Sequence, residues 1–284
     1  MSKQIFKIAV TDDCNMNCIY CQVKRKAGGD QPRHPLFSDD EIIRFVRMAT
    51  RTGANTIHIT GGEPLMRPGV IGLMERIRDF PRVEKLILST NGSLIHEAEL
   101  REILKYTDEV HVSLDAAQAF DLKDICGLGQ CMNEILNCAW SSCSAGKKVR
   151  ITCMMLQNAR KHVPILCDFG KNVDFDVCFK ELTAYGTYGG NVKPLAEEEL
   201  MELLRKRYPD MQKVKSEDPC TDFYRTGMLK SRIGIVHTNV ERNDMAYLAP
   251  DGVLYCGDRM RRMINLRMKL ENGANYDDLA PFFA

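Results

Sequence analysis

Short β-branched and aliphatic runs alternate with longer amphipathic stretches through the first two thirds of the chain, and this order constrains the fold most. Residues 5–10, 56–60, 85–89, 109–114, 149–156 and 173–180 read as strands. Residues 38–53, 69–80, 93–106, 131–144 and 162–170 read as helices between them. The first helix has the clearest start: Ser38 with Glu41 makes a capping box, Ile42, Ile43, Phe45, Val46 and Ala49 form an apolar stripe, and Gly53 ends it. Six strands alternating with helices predict βαβ units, a parallel sheet and right-handed crossovers. Beyond residue 186 the alternation lapses into one helix at 195–206 and short strands around 234–236, 245–249 and 253–255. Two parts are expected: a core over 1–185 and an extension over 186–284.

At 284 residues the chain can bury a substantial core, and its 44% hydrophobic and 27% charged contents are those of a soluble globular protein. Thirty-nine basic against 38 acidic residues leave a net charge of +1, which predicts no general grip on nucleic acid. No apolar run approaches the roughly 20 residues needed to cross a bilayer, and the N-terminus lacks the apolar centre of a signal peptide. Twelve cysteines without an export signal are expected to be reduced thiols in a cytoplasmic, oxygen-poor setting.

Three of these cysteines, Cys14, Cys18 and Cys21, stand as C-x3-C-x2-C just after the first strand. Three thiolates so close together suit three irons of a cubic 4Fe–4S cluster and leave the fourth iron open to an exchangeable ligand. A structural zinc site and three unrelated thiols are the alternatives. Zinc wants four ligands, and no later C-x2-C pair supplies the fourth. The other cysteines from Cys126 to Cys220 show no ligand spacing and suit packing, with Cys153 or Cys178 as a hydrogen-atom donor in a minor reading.

Further unusual segments also follow strands. Gly61, Gly62, Glu63 and Pro64 suit close backbone approach to a ligand or an ordinary turn. Thr90, Asn91 and Gly92 offer hydroxyl and amide groups, or a turn with Ser93 capping the next helix. Ser113 and Asp115 end the fourth strand, Asp115 serving equally as a helix N-cap. Arg150 shares a strand face with Thr152 and Met154; it either grips an anion or pairs with a carboxylate such as Glu181. The basic runs at 24–26 and 259–262 would steer a phosphorylated substrate or lie on solvated faces.

On the cysteine motif, Tyr20 before its third cysteine, and the segments GGEP, STNG and VSLDA, the chain resembles the radical S-adenosylmethionine enzymes. The resemblance implies an α/β fold with a partial (β/α)6 parallel barrel and a C-terminal extension capping its mouth. It implies one 4Fe–4S cluster on Cys14, Cys18 and Cys21, which are also the catalytic residues. S-adenosyl-L-methionine would bind through Tyr20, Gly61, Gly62, Glu63, Pro64, Thr90, Asn91, Ser113, Asp115 and Arg150, and be cleaved reductively to a 5′-deoxyadenosyl radical. A reductant such as flavodoxin or ferredoxin follows; a membrane or nucleic-acid partner does not, and oligomeric state is left open.

Over about residues 5–282 the order of landmarks is similar to the GTP cyclases of molybdenum-cofactor biosynthesis. That family adds a second cluster on C-x2-C-x13-C. Cys256 matches its last cysteine, but Asn239 and Arg242 stand at the other two positions, and the C-terminal double glycine is absent. One cluster is therefore expected, with a small anionic substrate of nucleotide, sugar or natural-product type. The GTP cyclase activity and a non-catalytic cluster- or metal-binding module are the alternatives.

Overall fold

The computed structural model describes residues 4–21, 36–182, 192–238, 244–256, 262–279 and 282. One sheet carries the chain. Six strands, β1 (Gln4–Ala9), β2 (Ala54–Thr60), β3 (Lys85–Thr90), β4 (Glu109–Ser113), β5 (Lys148–Met154) and β6 (Asp176–Lys180), lie side by side in sequence order. All their pairings are parallel, as the alternation predicts.

The C-terminal third adds a parallel strand at each edge, β9 (Ile233–Val236) beside β6 and β10 (Met245–Leu248) beside β1. Antiparallel strands follow outside them: β8 (Thr221–Arg225) and β7 (Gln212–Val214) beyond β9, β11 (Val253–Cys256) and β12 (Arg262–Asn265) beyond β10. The sheet thus has two ends and is an open, partial barrel.

Helices cover the outer face: α1 (Asp39–Arg51), α2 (Val70–Arg78), α3 (Glu97–Tyr106), α4 (Ala119–Cys126), α5 (Met132–Ser144), α6 (Val163–Phe169) and α7 (Glu197–Arg207), with α8 (Leu266–Glu271) and α9 (Tyr276–Leu279) at the end. Ser38 caps α1 as expected: its Oγ accepts from Glu41 N, and Glu41 Oε2 accepts from Ser38 N at 2.8 Å. Helix α2 starts one residue later than its sequence pattern because Gly69 takes φ +77°, outside the helical region. Helix α3 starts at Glu97, not Ser93, because Ser93 is bound back to Asn91. The sequence pattern missed α4, whose Phe120 faces solvent out of phase with buried Leu122 and Ile125. It also missed the short, polar strands β7, β8 and β12.

Every parallel strand divides its residues in the same way. Phe6 and Ile8, Ile57 and Ile59, and Leu86 and Leu88 join one apolar core with α1 and α2. Val110 and Val112, Val149 and Ile151, and Val177 and Phe179 join a second core with α4 to α7. Period-two alternation then turns Lys7, His58, Ser89, His111, Arg150 and Lys180 to the inner, concave face. A packed barrel interior is filled by Val, Ile and Leu; here polar and charged groups line it.

Candidate active site

The cysteine loop leaves the end of β1 and is fixed by backbone hydrogen bonds on two sides. Gly62 N donates to Thr11 O and Glu63 N to Asp13 O, each at 2.7 Å. On the other side Asn17 N donates to Cys126 O at 2.8 Å and Ile19 N to Ile125 O at 2.9 Å, at the end of α4. Gly61 and Gly62 are required by this contact. A Cβ at Gly61 would stand 2.6 Å from Thr11 O, and one at Gly62 2.7 Å from Asp12 O. Cys14, Cys18 and Cys21 are half-buried, and none is in a disulfide. Three thiols outside any disulfide on a pinned loop fit the donor set of a site-differentiated iron–sulfur cluster.

Glu63 is buried and braces the neighbouring strand end. It accepts from Thr90 Oγ1 and from Asn91 N, both at 2.7 Å, and from Leu65 N at 3.1 Å. Burial pushes its proton affinity up, against these three donors. Asn91 Nδ2 donates to Asn15 Oδ1 at 2.9 Å and Asn15 Nδ2 to Ser93 Oγ at 2.8 Å, tying the third strand end to the cysteine loop. Pro64 is buried and opens a short 3-10 turn, Pro64–Met66.

Asp115 plays the same part on the opposite side. It is 1% exposed and accepts from Tyr20 Oη at 2.5 Å, Met154 N at 2.6 Å and Cys126 Sγ at 3.4 Å. The Cys126 thiol is also within hydrogen-bonding reach of the Cys18 sulfur. Burial and the neighbouring Asp115 hold the Tyr20 phenol well above its usual range. Asp115 is not a helix N-cap: Gln118 is that of α4. The convergence of these strand ends was legible in the sequence. The hydrogen bonding of Glu63, Thr90 and Asp115 to other loops of the chain was not.

Ser113 is exposed on the inner face at the end of β4, in register with Thr152. Arg150 lies two residues deeper, opposite His111. Its side chain is 11% exposed and faces Asp218 at 3.7 Å and Glu109 at 3.9 Å, with its Nε lacking a hydrogen bond. Glu181 is not its partner; Glu181 accepts from Thr238 N at 3.0 Å and faces His237 Nδ1 at 3.5 Å. The pairing expected from sequence failed because Asp218 arrives from the segment before β8, an element the pattern missed.

Around Arg150 the inner face carries residues that sequence reasoning did not select. His58 Nε2 lies 2.6 Å from Ser89 Oγ, and His111 Nε2 lies 2.7 Å from Glu109 Oε1. Burial, with Arg150 nearby, lowers His111 to about 4, although Glu109 opposes this. Burial and the cations Lys7, Arg150 and Lys180 put His58 well below the usual imidazole range. Burial works to raise Glu109, but His111, Lys85 and Arg150 hold it below the usual carboxylate range. The signal was available: polar residues in inward phase on four predicted strands. Phe223 closes one side, its ring lying under Arg232 at 3.9 Å and Arg150 at 5.6 Å.

Cys178 shares this inner face, where Gly234 makes room for its sulfur; Cys153 is buried in the outer core. The basic runs at 24–26 and 259–261, Asn239, Arg242 and the Cys256 side chain lie outside the described residues. Among the described residues no helix is long and apolar enough to cross a membrane.

Comparison with known proteins agrees with this geometry. A GTP 3′,8-cyclase of Clostridium perfringens strain SM101 is 26% identical over 282 residues, covering 96% of this chain and 86% of that protein. The structure of Streptococcus suis SuiB bound to S-adenosylmethionine superposes with a TM-score of 0.65 at 14% identity, over 99% of this chain and 68% of that one. Native anSMEcpe with bound AdoMet and the Kp18Cys peptide gives a TM-score of 0.61 at 16% identity, over 96% and 81% of the two chains. The Radical SAM superfamily profile matches residues 8–161, the span of β1 to β5 with the cysteine loop, and the chain belongs to that superfamily.

Proposed function

We propose that the protein uses one 4Fe–4S cluster, held by Cys14, Cys18 and Cys21, to act on a small anionic substrate inside the partial barrel. Together the cluster and S-adenosyl-L-methionine supply a 5′-deoxyadenosyl radical by reductive cleavage. Gly61 and Gly62 would set the floor of the cofactor cradle and Pro64 its exit, and Ser113, exposed at the end of β4, would be available to the cofactor. Glu63, Thr90, Asn91, Tyr20 and Asp115 hold the cradle's walls in place through the hydrogen bonds described above. Electrons come from a flavodoxin- or ferredoxin-type reductant.

One observation carries the substrate reading. Arg150 is a nearly buried guanidinium whose closest carboxylate contacts, 3.7 and 3.9 Å, exceed hydrogen-bond length. A buried charge without hydrogen bonds is costly, and an entering carboxylate or phosphate would complete it. Arg150 is thus assigned to the substrate and not to the cofactor. It lies four residues below Met154, on the order of 13 Å along β5 from the mouth end of that strand, a depth suited to a compact molecule.

The GTP 3′,8-cyclase reading is the alternative that the named relatives favour. Asn239 and Arg242 at its second-cluster positions argue against it, since neither is a good iron ligand. Anaerobically reconstituted protein should carry about four irons per chain, and replacing all three cysteines by alanine should leave essentially none and stop 5′-deoxyadenosine release. A second paramagnetic signal surviving that triple substitution would restore the cyclase reading. Zinc without cofactor cleavage would point to a non-catalytic module, and tight binding of a leader peptide would overturn the small-molecule assignment.

A further inference from the structure

The inner face of β2, β3 and β4 holds a pair of imidazoles that neither the cofactor cradle nor Arg150 uses. The rings of His58 and His111 meet edge to face, with centroids 5.1 Å apart and an interplanar angle of 80°. Each has one nitrogen anchored, to Ser89 Oγ and to Glu109 Oε1. Glu109 is itself fixed by Lys85. The second nitrogen of each ring has no hydrogen bond to a described residue, and neither is among the polar atoms sealed from solvent without a partner. Two oriented imidazoles therefore turn open nitrogens towards the polar interior.

The surroundings decide what they bind. Burial and the cations around them keep both rings neutral near neutral pH, so they offer hydrogen bonds without charge. Arg150 is the register neighbour of His111, about 4.8 Å away across the strands. A single guanidinium suits a single carboxylate or phosphate. His111 thus stands beside the guanidinium, and His58 extends the row of neutral donors and acceptors across β3 to β2, an arrangement suited to an anionic group followed by hydroxyls.

We propose that His58 and His111 recognise hydroxyl groups of a substrate carrying one anionic group, a sugar phosphate or sugar acid, with Ser89 and Glu109 as positioning residues. This rests on reading the barrel interior as the substrate chamber.

The test uses anaerobically reconstituted enzyme with carbon-13 at the histidine Cε1. Of its six histidines, two resonances are assigned with His58→Gln and His111→Gln. The probes are ribose 5-phosphate, gluconate, phenyl phosphate and GTP. Ribose 5-phosphate or gluconate should shift both resonances and bind at least about ten-fold tighter than phenyl phosphate, the effect of one or two hydrogen bonds. Ribose 5-phosphate as the tighter of the two identifies a phosphate ligand, gluconate a carboxylate. Either glutamine variant should remove most of that preference while phenyl phosphate binding stays unchanged, and Ser89→Ala should weaken it if a histidine variant fails to fold. Equal binding of phenyl phosphate, a preference that survives both substitutions, tighter binding of GTP, or no binding of the polyol acids would overturn the assignment. Arg150→Gln separates the two readings. If it leaves all anion binding intact, the chamber reading fails; if it abolishes that binding while histidine substitutions change nothing, only the imidazole assignment fails.

Discussion

Single residues at this site act mainly by holding one loop against another. Asp115 satisfies donors from three separate segments, Tyr20, Cys126 and the amide of Met154. Asp115→Ala leaves these donors unpaired in a buried site, at about 1–3 kcal/mol for each one that water cannot reach. The expected outcome is a lower thermal midpoint together with reduced iron content after reconstitution; unchanged values of both would refute the anchoring role. His111 sets a pH dependence. Its folded value of about 4 lies below the ordinary 6.5, so between these limits the unfolded chain binds more protons than the folded one. Stability therefore rises with pH through that window and is lost as pH falls. Glu109, held below its ordinary 4.5, adds a further loss at more acidic pH. Wild-type protein should lose thermal midpoint from pH 7 to pH 5, and His111→Gln should lose less. Arg150 shows where the sequence stopped being informative: its inward face was readable from alternation, but its partners come from β4 and the segment before β8.

At the level of elements, the glycines of the second strand end act as spacers for the cysteine loop. Gly62→Ala would drive a Cβ into the backbone of Asp12 and Asp13. Because that backbone carries Cys14, the substitution should cut iron content severely while the far-ultraviolet circular dichroism stays near wild type. Gly72→Ala, in α2 where nothing beyond its own stretch of helix lies within 4 Å of the added carbon, should leave iron content intact. Ser38→Ala removes one side of the α1 capping box and should cost about 1 kcal/mol in denaturant titration without affecting the cluster. Helix α1 was readable because its cap, stripe and stop agree. Helix α4 was not, because an exposed Phe120 breaks the pattern, yet its last two residues receive the cysteine loop. Short α4 owes its place to those tertiary contacts, not to a strong stripe of its own.

For the whole molecule, the C-terminal third completes the sheet at both edges. Cutting the chain after residue 182 would strip β9 from β6 and β10 from β1, exposing two long parallel edges. Such a fragment should aggregate by light scattering; a monomeric, cooperatively folding fragment would show that the core stands without these strands. The sequence by itself determined the strand–helix order, the cysteine loop and the placement of unusual segments after strands. Each depends on residue types at short, fixed spacing, which local chemistry reads directly. Tertiary structure alone decided that β9 and β10 close the two flanks, that Asp115 and Glu63 brace loops, and that His58, Ser89, His111, Glu109 and Arg150 share one interior. Those encounters depend on strand register across segments tens of residues apart, and side-chain periodicity within a strand fixes a face but not a neighbour.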